Sequence, residues 1–155
     1  MPAHLELRRA GVADAAAIRA LTRAAYAKWV ALSGREPKPM TADYDAAVRA
    51  HRFDLAYEAG ELVALIETVD EGEALLVENV AVAPSRQGEG LGTRLLALAE
   101  TLARDLGRPT LRLYTNALWI ENITLYRRLG YAIDREEEVA PGLVRVHMSK
   151  AVAAI

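Results

Sequence analysis

The stretch with the clearest capacity for chemistry is Val80-Ala81-Val82-Ala83-Pro84-Ser85-Arg86-Gln87-Gly88-Glu89-Gly90-Leu91-Gly92-Thr93-Arg94-Leu95-Leu96. An apolar run ends at Pro84, a short polar loop follows, and glycines at alternate positions lead into a leucine-rich segment. That pattern spells strand, bare-backbone loop, helix. A helix start carries N–H groups without a helical acceptor, and the helix dipole adds positive character. Glycines there let a phosphate come close to the backbone. The expected chemistry is anion binding, with a phosphate as the natural ligand. Just upstream, Glu78 sits in the otherwise apolar run Leu75-Leu76-Val77-Glu78-Asn79-Val80. It lies two residues before Val80 and so faces the same side of the strand. A carboxylate in such surroundings suits a general base unless it is paired. A partner on a neighbouring strand is the competing structural reading. Asn79 points to the opposite face and reads as structural.

Composition bounds the possibilities. The chain has 155 residues, 52% of them hydrophobic and 26% charged, the balance of one globular domain spanning residues 1–155. The net charge is -2, which leaves no electrostatic footprint for nucleic acid. There is no cysteine, so disulfides and thiol chemistry on the protein are excluded. The start, Met1 to Glu6, lacks a signal-peptide pattern, and no apolar run approaches the ~20 residues of a membrane span. A soluble cytoplasmic protein without a membrane partner is expected. His4, His51 and His147 are scattered, and no spacing suggests a metal site.

The elements around the loop follow from periodicity. Leu5 to Arg9 alternates as a strand. Asp14 is placed to cap a helix running to about Leu32, with Ile18, Leu21, Ala25, Trp29 and Leu32 as its inward stripe. The segment Ser33 to Met40, with Gly34, Pro37 and Pro39, reads as an open, stiff loop that cannot be helical. Thr41 is expected to cap a second helix to about Ala50. Phe53 to Tyr57 and Glu61 to Val69 form a hairpin about Ala59-Gly60, and Ala74 to Val82 is the strand that feeds the glycine loop. Leu91, Leu95, Leu98 and Leu102 recur at helical spacing, and Gly107 and Pro109 end that helix. A strand at Leu111 to Thr115, a helix from Trp119 to about Leu129, an edge strand from Tyr131 to Val139 and a last strand from Leu143 to Met148 complete the order. In that last strand Val144, Val146 and Met148 are expected to point one way, Arg145 and His147 the other. Ala151 to Ile155 reads as a frayed tail. The result is a mixed, mostly antiparallel α/β sheet of about seven strands flanked by four helices.

A P-loop needs Lys-Ser or Lys-Thr after its last glycine, and here Gly92 is followed by Thr93-Arg94. A dinucleotide fingerprint needs a third glycine where this chain has Thr93, and it belongs in a leading βαβ unit. Gln87-x-x-Gly90-x-Gly92 after Val80 to Pro84 instead resembles the acyl-CoA signature of the GNAT superfamily of N-acetyltransferases. The order of elements matches that family across nearly the whole chain. Glu121 to Tyr131, with its Leu125-Tyr126 pair ahead of Gly130-Tyr131, resembles the family's second signature.

The resemblance implies an acetyl group moved from acetyl-CoA to a primary amine by direct attack in a ternary complex, without a metal. Backbone N–H groups from Gln87 through Gly88, Glu89, Gly90, Leu91 and Gly92 to Thr93 would hold the pyrophosphate, with the Glu89 side chain turned outward. Strands four and five would splay, and the backbone of Val80, Ala81 and Val82 would pair with the pantetheine arm. Tyr126 matches the family tyrosine that protonates the departing thiolate or stabilises it by a hydrogen bond, and Glu78 would serve as base. Asn122 shares the helical face of Tyr126 and is a candidate for the pantetheine or sulfur region, with Asn116 as the alternative. Acceptor recognition would fall to Tyr26, Trp29, Val30, the loop from Arg35 to Met40, Tyr44, Tyr114 and the Glu136 to Glu138 run. Homodimers are common in the family. The alternative reading on the same fold is a non-catalytic acyl-CoA-binding sensor or interaction domain.

Overall fold

The computed structural model describes residues 4–153. In chain order the elements are β1 (Glu6–Arg9), α1 (Ala15–Ser33), α2 (Lys38–Thr41), α3 (Tyr44–Ala50), β2 (Arg52–Glu58), β3 (Glu61–Asp70), β4 (Ala74–Val82), α4 (Leu91–Asp105), β5 (Thr110–Asn116), α5 (Ile120–Arg128), β6 (Ala132–Ala140) and β7 (Leu143–Ala151). Short 3-10 turns precede α1 and follow β4. The strands form one seven-stranded sheet in the order β1-β2-β3-β4-β5-β7-β6. The β1/β2, β2/β3, β5/β7 and β6/β7 pairs are antiparallel, and β4/β5 is parallel. The parallel ladder runs from Ala74↔Thr110 to Val77↔Leu113, while β4 continues to Val82 and β5 to Asn116. Both strands therefore run on past their shared ladder.

The chain gathers into two compact units. One is built from the chain up to Val69 and Asn79–Leu98, the other from Asp70–Glu78 and the chain from Ala99 onward. In the first, Ala15, Ile18, Leu21 and Ala25 of α1 pack with Tyr44, Phe53, Leu55, Leu65 and Ala81. Burying residues the size of Phe53 or Leu55 contributes about 1.5–3 kcal/mol each. The Tyr44 and Phe53 rings meet edge to face at 6.0 Å. Full burial along the stripe ends at Ala25, and Trp29 is half-buried. Leu32 is 53% exposed, because the last turns of α1 extend past the surface that its helical period could cover.

Two helix starts differ from the sequence reading. Asp14 precedes α1, but its carboxylate turns back to accept from the Gly11 N–H at 2.8 Å instead of capping the helix. The single-turn helix α2 begins inside the Ser33–Met40 segment, at Lys38, so the described residues hold five α-helices and not four. Pro37 and Pro39 occupy its cap and first turn, where a missing N–H costs nothing and the fixed φ is already helical. Thr41 closes α2, and the cap of α3 is Asp43, which accepts from the Ala46 N–H at 3.2 Å.

In the second unit, Leu111, Leu113 and Thr115 of β5 and Val146 and Met148 of β7 share the buried face. His147 points to the opposite face as expected, yet it too is buried, beside the Tyr114 ring. β6 is the exposed edge strand, its row of charges discouraging further pairing. Ala151 belongs to β7, Val152 donates to the Pro109 carbonyl at 2.9 Å, and Arg104 donates to the Ala153 carbonyl at 2.9 Å. Ala151 to Ala153 are thus fastened and not frayed. Ala154 and Ile155, like Met1 to Ala3, lie outside the described residues. Among the described residues, no helix is long and apolar enough to cross a membrane.

The β2/β3 hairpin carries one strained position. Ala59 has φ 51 and Gly60 φ 82, the geometry of a two-residue turn with both φ values positive. Alanine is disfavoured there by Cβ crowding, whereas asparagine tolerates it. Ala59→Asn is expected to raise stability by about 1 kcal/mol, or roughly 2–4 °C in Tm by calorimetry.

Candidate functional site

In the first unit, β4 ends at Val82, the chain makes a 3-10 turn over Pro84–Arg86, and α4 starts at Leu91. Gly88 and Gly90 adopt φ 84 and 85, values that side chains rarely accept, and a Cβ on either would meet nothing within 4 Å. The loop is therefore open on the side where side chains are missing. The first helical bond of α4 is Arg94 N–H to the Gly90 carbonyl at 3.1 Å. The N–H groups of Leu91, Gly92 and Thr93 come before any helical acceptor. A Cβ on Gly92 would sit 3.8 Å from both the Val80 and Val82 side chains, so β4 supports the helix start from beneath.

Side chains hold this loop in place, a role that the sequence did not reveal. Gln87 donates to the Val82 carbonyl at 3.0 Å and to the Ala25 carbonyl at 3.4 Å, and accepts from Lys28 at 2.8 Å. The Glu89 carboxylate is drawn aside by Arg86 at 2.8 Å, and Arg86 also bonds Glu58 at 3.0 Å. Arg86 is held firmly protonated by its hydrogen bonds to Glu58 and Glu89. The loop backbone is left facing outward without its own carboxylate across it.

Behind β4 lies a polar network. Tyr26 donates to Asn79 Oδ1 at 2.9 Å and reaches the Val80 carbonyl at 3.1 Å. Asn79 donates to Thr22 and Tyr44, each at 3.3 Å, and Tyr44 donates to the Pro39 carbonyl at 2.6 Å. Asn79 is 2% exposed and structural, as its strand phase implied. Through Tyr44 it ties the proline-bearing segment to β4.

In the second unit, Glu78 is half-buried and accepts a hydrogen bond from the Tyr114 hydroxyl at 2.7 Å. The partner on the neighbouring strand β5 includes this phenol, and the charge of Arg112 on the same strand also acts on Glu78. Arg112, which is also charged and close, is tied to Glu71 at 2.8 Å. The Arg145 guanidinium lies over the Tyr114 ring at 4.2 Å, and His147 stands 6.0 Å from that ring and 2.9 Å from Glu137 Oε1. The hydrogen bond from His147 keeps Glu137 below the usual carboxylate range, with Arg135 and Arg145 adding to it. The register makes this one face: Tyr114↔His147 and Asn116↔Arg145 across β5/β7, Arg135↔His147 and Glu137↔Arg145 across β6/β7.

On α5, Asn122 and Tyr126 lie four residues apart, both half-buried. Tyr126 packs edge to face on Tyr131 at 5.9 Å, and burial pushes its phenol up to about 12. Its hydroxyl makes no hydrogen bond to any described residue. Asn116 uses its side-chain oxygen on the Leu118 N–H at 2.9 Å, shaping the turn into α5. The Asn122 side chain has no such structural bond. Among the described residues, no group of three or more His, Asp or Glu side chains is arranged to hold a metal.

Comparison with known proteins places this arrangement. Residues 49–133 match the family model for the acetyltransferase (GNAT) domain. A stretch of 52 residues is 44% identical to mycothiol acetyltransferase of Pseudarthrobacter chlorophenolicus, covering 34% of this chain and only 16% of that protein. A GNAT-family protein from Desulfovibrio desulfuricans shares the fold with a TM-score of 0.80 at 20% identity, over 97% of this chain and 100% of that one. The PaiA N-acetyltransferase of Thermoplasma acidophilum, solved in complex with coenzyme A, superimposes with a TM-score of 0.74 at 16% identity, over 96% of this chain and 99% of that one. A helix start laid open by Gly88 and Gly90, a sheet whose parallel strands outrun their ladder and a family match over more than half the sequence agree: the chain belongs to the GNAT acetyltransferase family.

Proposed function

We propose that residues 1–155 act as one N-acetyltransferase domain, moving the acetyl group of acetyl-CoA to a primary amine in a ternary complex. The acceptor is an amine of a small molecule or of a peptide or protein. The observation that carries this reading is the open glycine loop at the start of α4, in a chain of this family. Coenzyme A bound to the Thermoplasma relative supports the donor. The pyrophosphate takes the N–H groups from Gln87 to Thr93. The pantetheine runs along the backbone of Val80 to Val82, and Asn122 is favoured over Asn116 because the Asn116 oxygen is already engaged. The setting is the cytoplasm, where the thioester is supplied.

The amine must be neutral to attack. Glu78 accepts its proton, directly or through a water, while nitrogen bonds to the thioester carbonyl carbon. The tetrahedral intermediate collapses, the C–S bond breaks, and the sulfur leaves as thiolate toward the Tyr126 hydroxyl. The Tyr114 hydroxyl holds Glu78 in one orientation for this step.

A screen of amines with acetyl-CoA, reading released thiol, tests the activity. Binding without turnover of any amine would favour the alternative, an acyl-CoA sensor or interaction domain. Glu78→Gln is expected to lower kcat/KM for the amine by about 10²–10³-fold with coenzyme A affinity unchanged. Wild-type kcat/KM in that variant would remove Glu78 as the base.

A further inference from the structure

The polar face around Tyr114 has a feature that proton transfer alone does not need. Glu78 meets the hydroxyl end of Tyr114, and Arg145 lies on the face of the same ring. Arg145 is half-buried, and no carboxylate of the described residues lies within ion-pair distance of it. Glu137, directly across β6/β7, feels the Arg145 charge but is hydrogen-bonded to His147 at 2.9 Å and stands 3.9 Å from Arg135, so three basic groups share this one carboxylate. Asn116 is opposite Arg145 on β5, and its oxygen serves the Leu118 N–H. A guanidinium stacked on an aromatic ring keeps its N–H fork at the edge, where it suits a carboxylate held by two parallel hydrogen bonds.

We infer that Arg145 recognises a carboxylate on the acceptor, so that the favoured acceptor is an α-amino acid: amine toward Glu78, carboxylate toward Arg145. One phenol ring separates the two protein groups, a span that an α-amino acid covers with a hydrogen bond at each end. The charges are also ordered correctly, since Glu78 meets the cationic amine and Arg145 the anion. Arg112, the other cation near Glu78, is held by the Glu71 carboxylate at 2.8 Å. This inference rests on the reading of Glu78 as the base.

The test compares L-amino acids with their primary amides, which keep the amine and lose the carboxylate charge. Turnover with acetyl-CoA is measured, together with calorimetric titration of the same pairs onto coenzyme A-saturated protein. For the best acceptor, the acid should exceed its amide by about tenfold or more in kcat/KM and in affinity. Arg145→Gln should collapse that ratio toward one, and Arg145→Lys should restore only part of it, because an ammonium cannot form the fork. Coenzyme A affinity should be the same in all three proteins. Equal handling of acids and amides by the wild type, or a ratio that survives Arg145→Gln, would overturn the inference. If nothing is turned over but the acid preference in binding is present and lost in Arg145→Gln, the recognition stands and the acetyltransferase reading falls. Should Arg145→Gln fail to fold, the wild-type ratio and the Arg145→Lys protein decide.

Discussion

Gly90→Asp is expected to lose coenzyme A binding by about 10²-fold or more while α4 stays folded. The residue has φ 85 and nothing within 4 Å of where a Cβ would stand, so the new side chain enters the open side of the loop. There it meets the N–H groups proposed for the pyrophosphate, and a carboxylate opposes a phosphate as it competes for the same donors. The positive φ adds a local cost of about 1 kcal/mol, which asparagine tolerates as well as aspartate does. Gly90→Asn therefore separates the effects: it should share the small loss of Tm but lose much less affinity than Gly90→Asp. Calorimetric titration of coenzyme A onto the two variants reads the difference. Equal affinity of wild type and Gly90→Asp would remove the pyrophosphate from this loop.

Tyr126→Phe is expected to lower kcat by about 10²-fold with little change in coenzyme A affinity. The phenol, pushed up to about 12 by burial, is a weaker acid than a free thiol of reference pKa ~8.5. Outright transfer of its proton to a thiolate is uphill. Its contribution is then a hydrogen bond to the developing negative sulfur, and kcat should show no falling limb from this group below about pH 11. A phenol whose folded pKa is raised favours the folded state below its ordinary value near 10, and that contribution is lost as the pH rises through about 12. Tyr126→Phe should therefore keep its Tm at neutral pH and lose less stability than wild type between those values. Wild-type kcat in the variant would exclude the hydroxyl from the reaction.

Much of the fold was legible in local pattern. Strand alternation, the leucine repeat of α4 and the turn residues placed every strand close to its observed bounds, and the loop from Gln87 to Gly92 stood out because few backbones need glycine at alternate positions. Helix starts were less legible. Asp14, Thr41 and Asp43 all have cap chemistry, and which of them caps depends on where each carboxylate or hydroxyl can turn. The extent of burial was hidden too. Helical period carried the stripe of α1 to Leu32, but full burial ends at Ala25, Trp29 is half-buried and Leu32 is exposed.

The sequence by itself determined the order of the strands, the glycine loop at the start of α4 and the family, because these depend on spacings within a few residues of one another. Only the tertiary structure decided the company each polar side chain keeps. Glu78 meets Tyr114 across 36 positions of chain, Arg145 covers that same ring, and Gln87 is braced by Lys28 from α1. Such pairings depend on strand register and helix docking, and no local pattern encodes them. A shift of one residue in β5 or β7 would turn Tyr114 or Arg145 to the other face and dismantle the group.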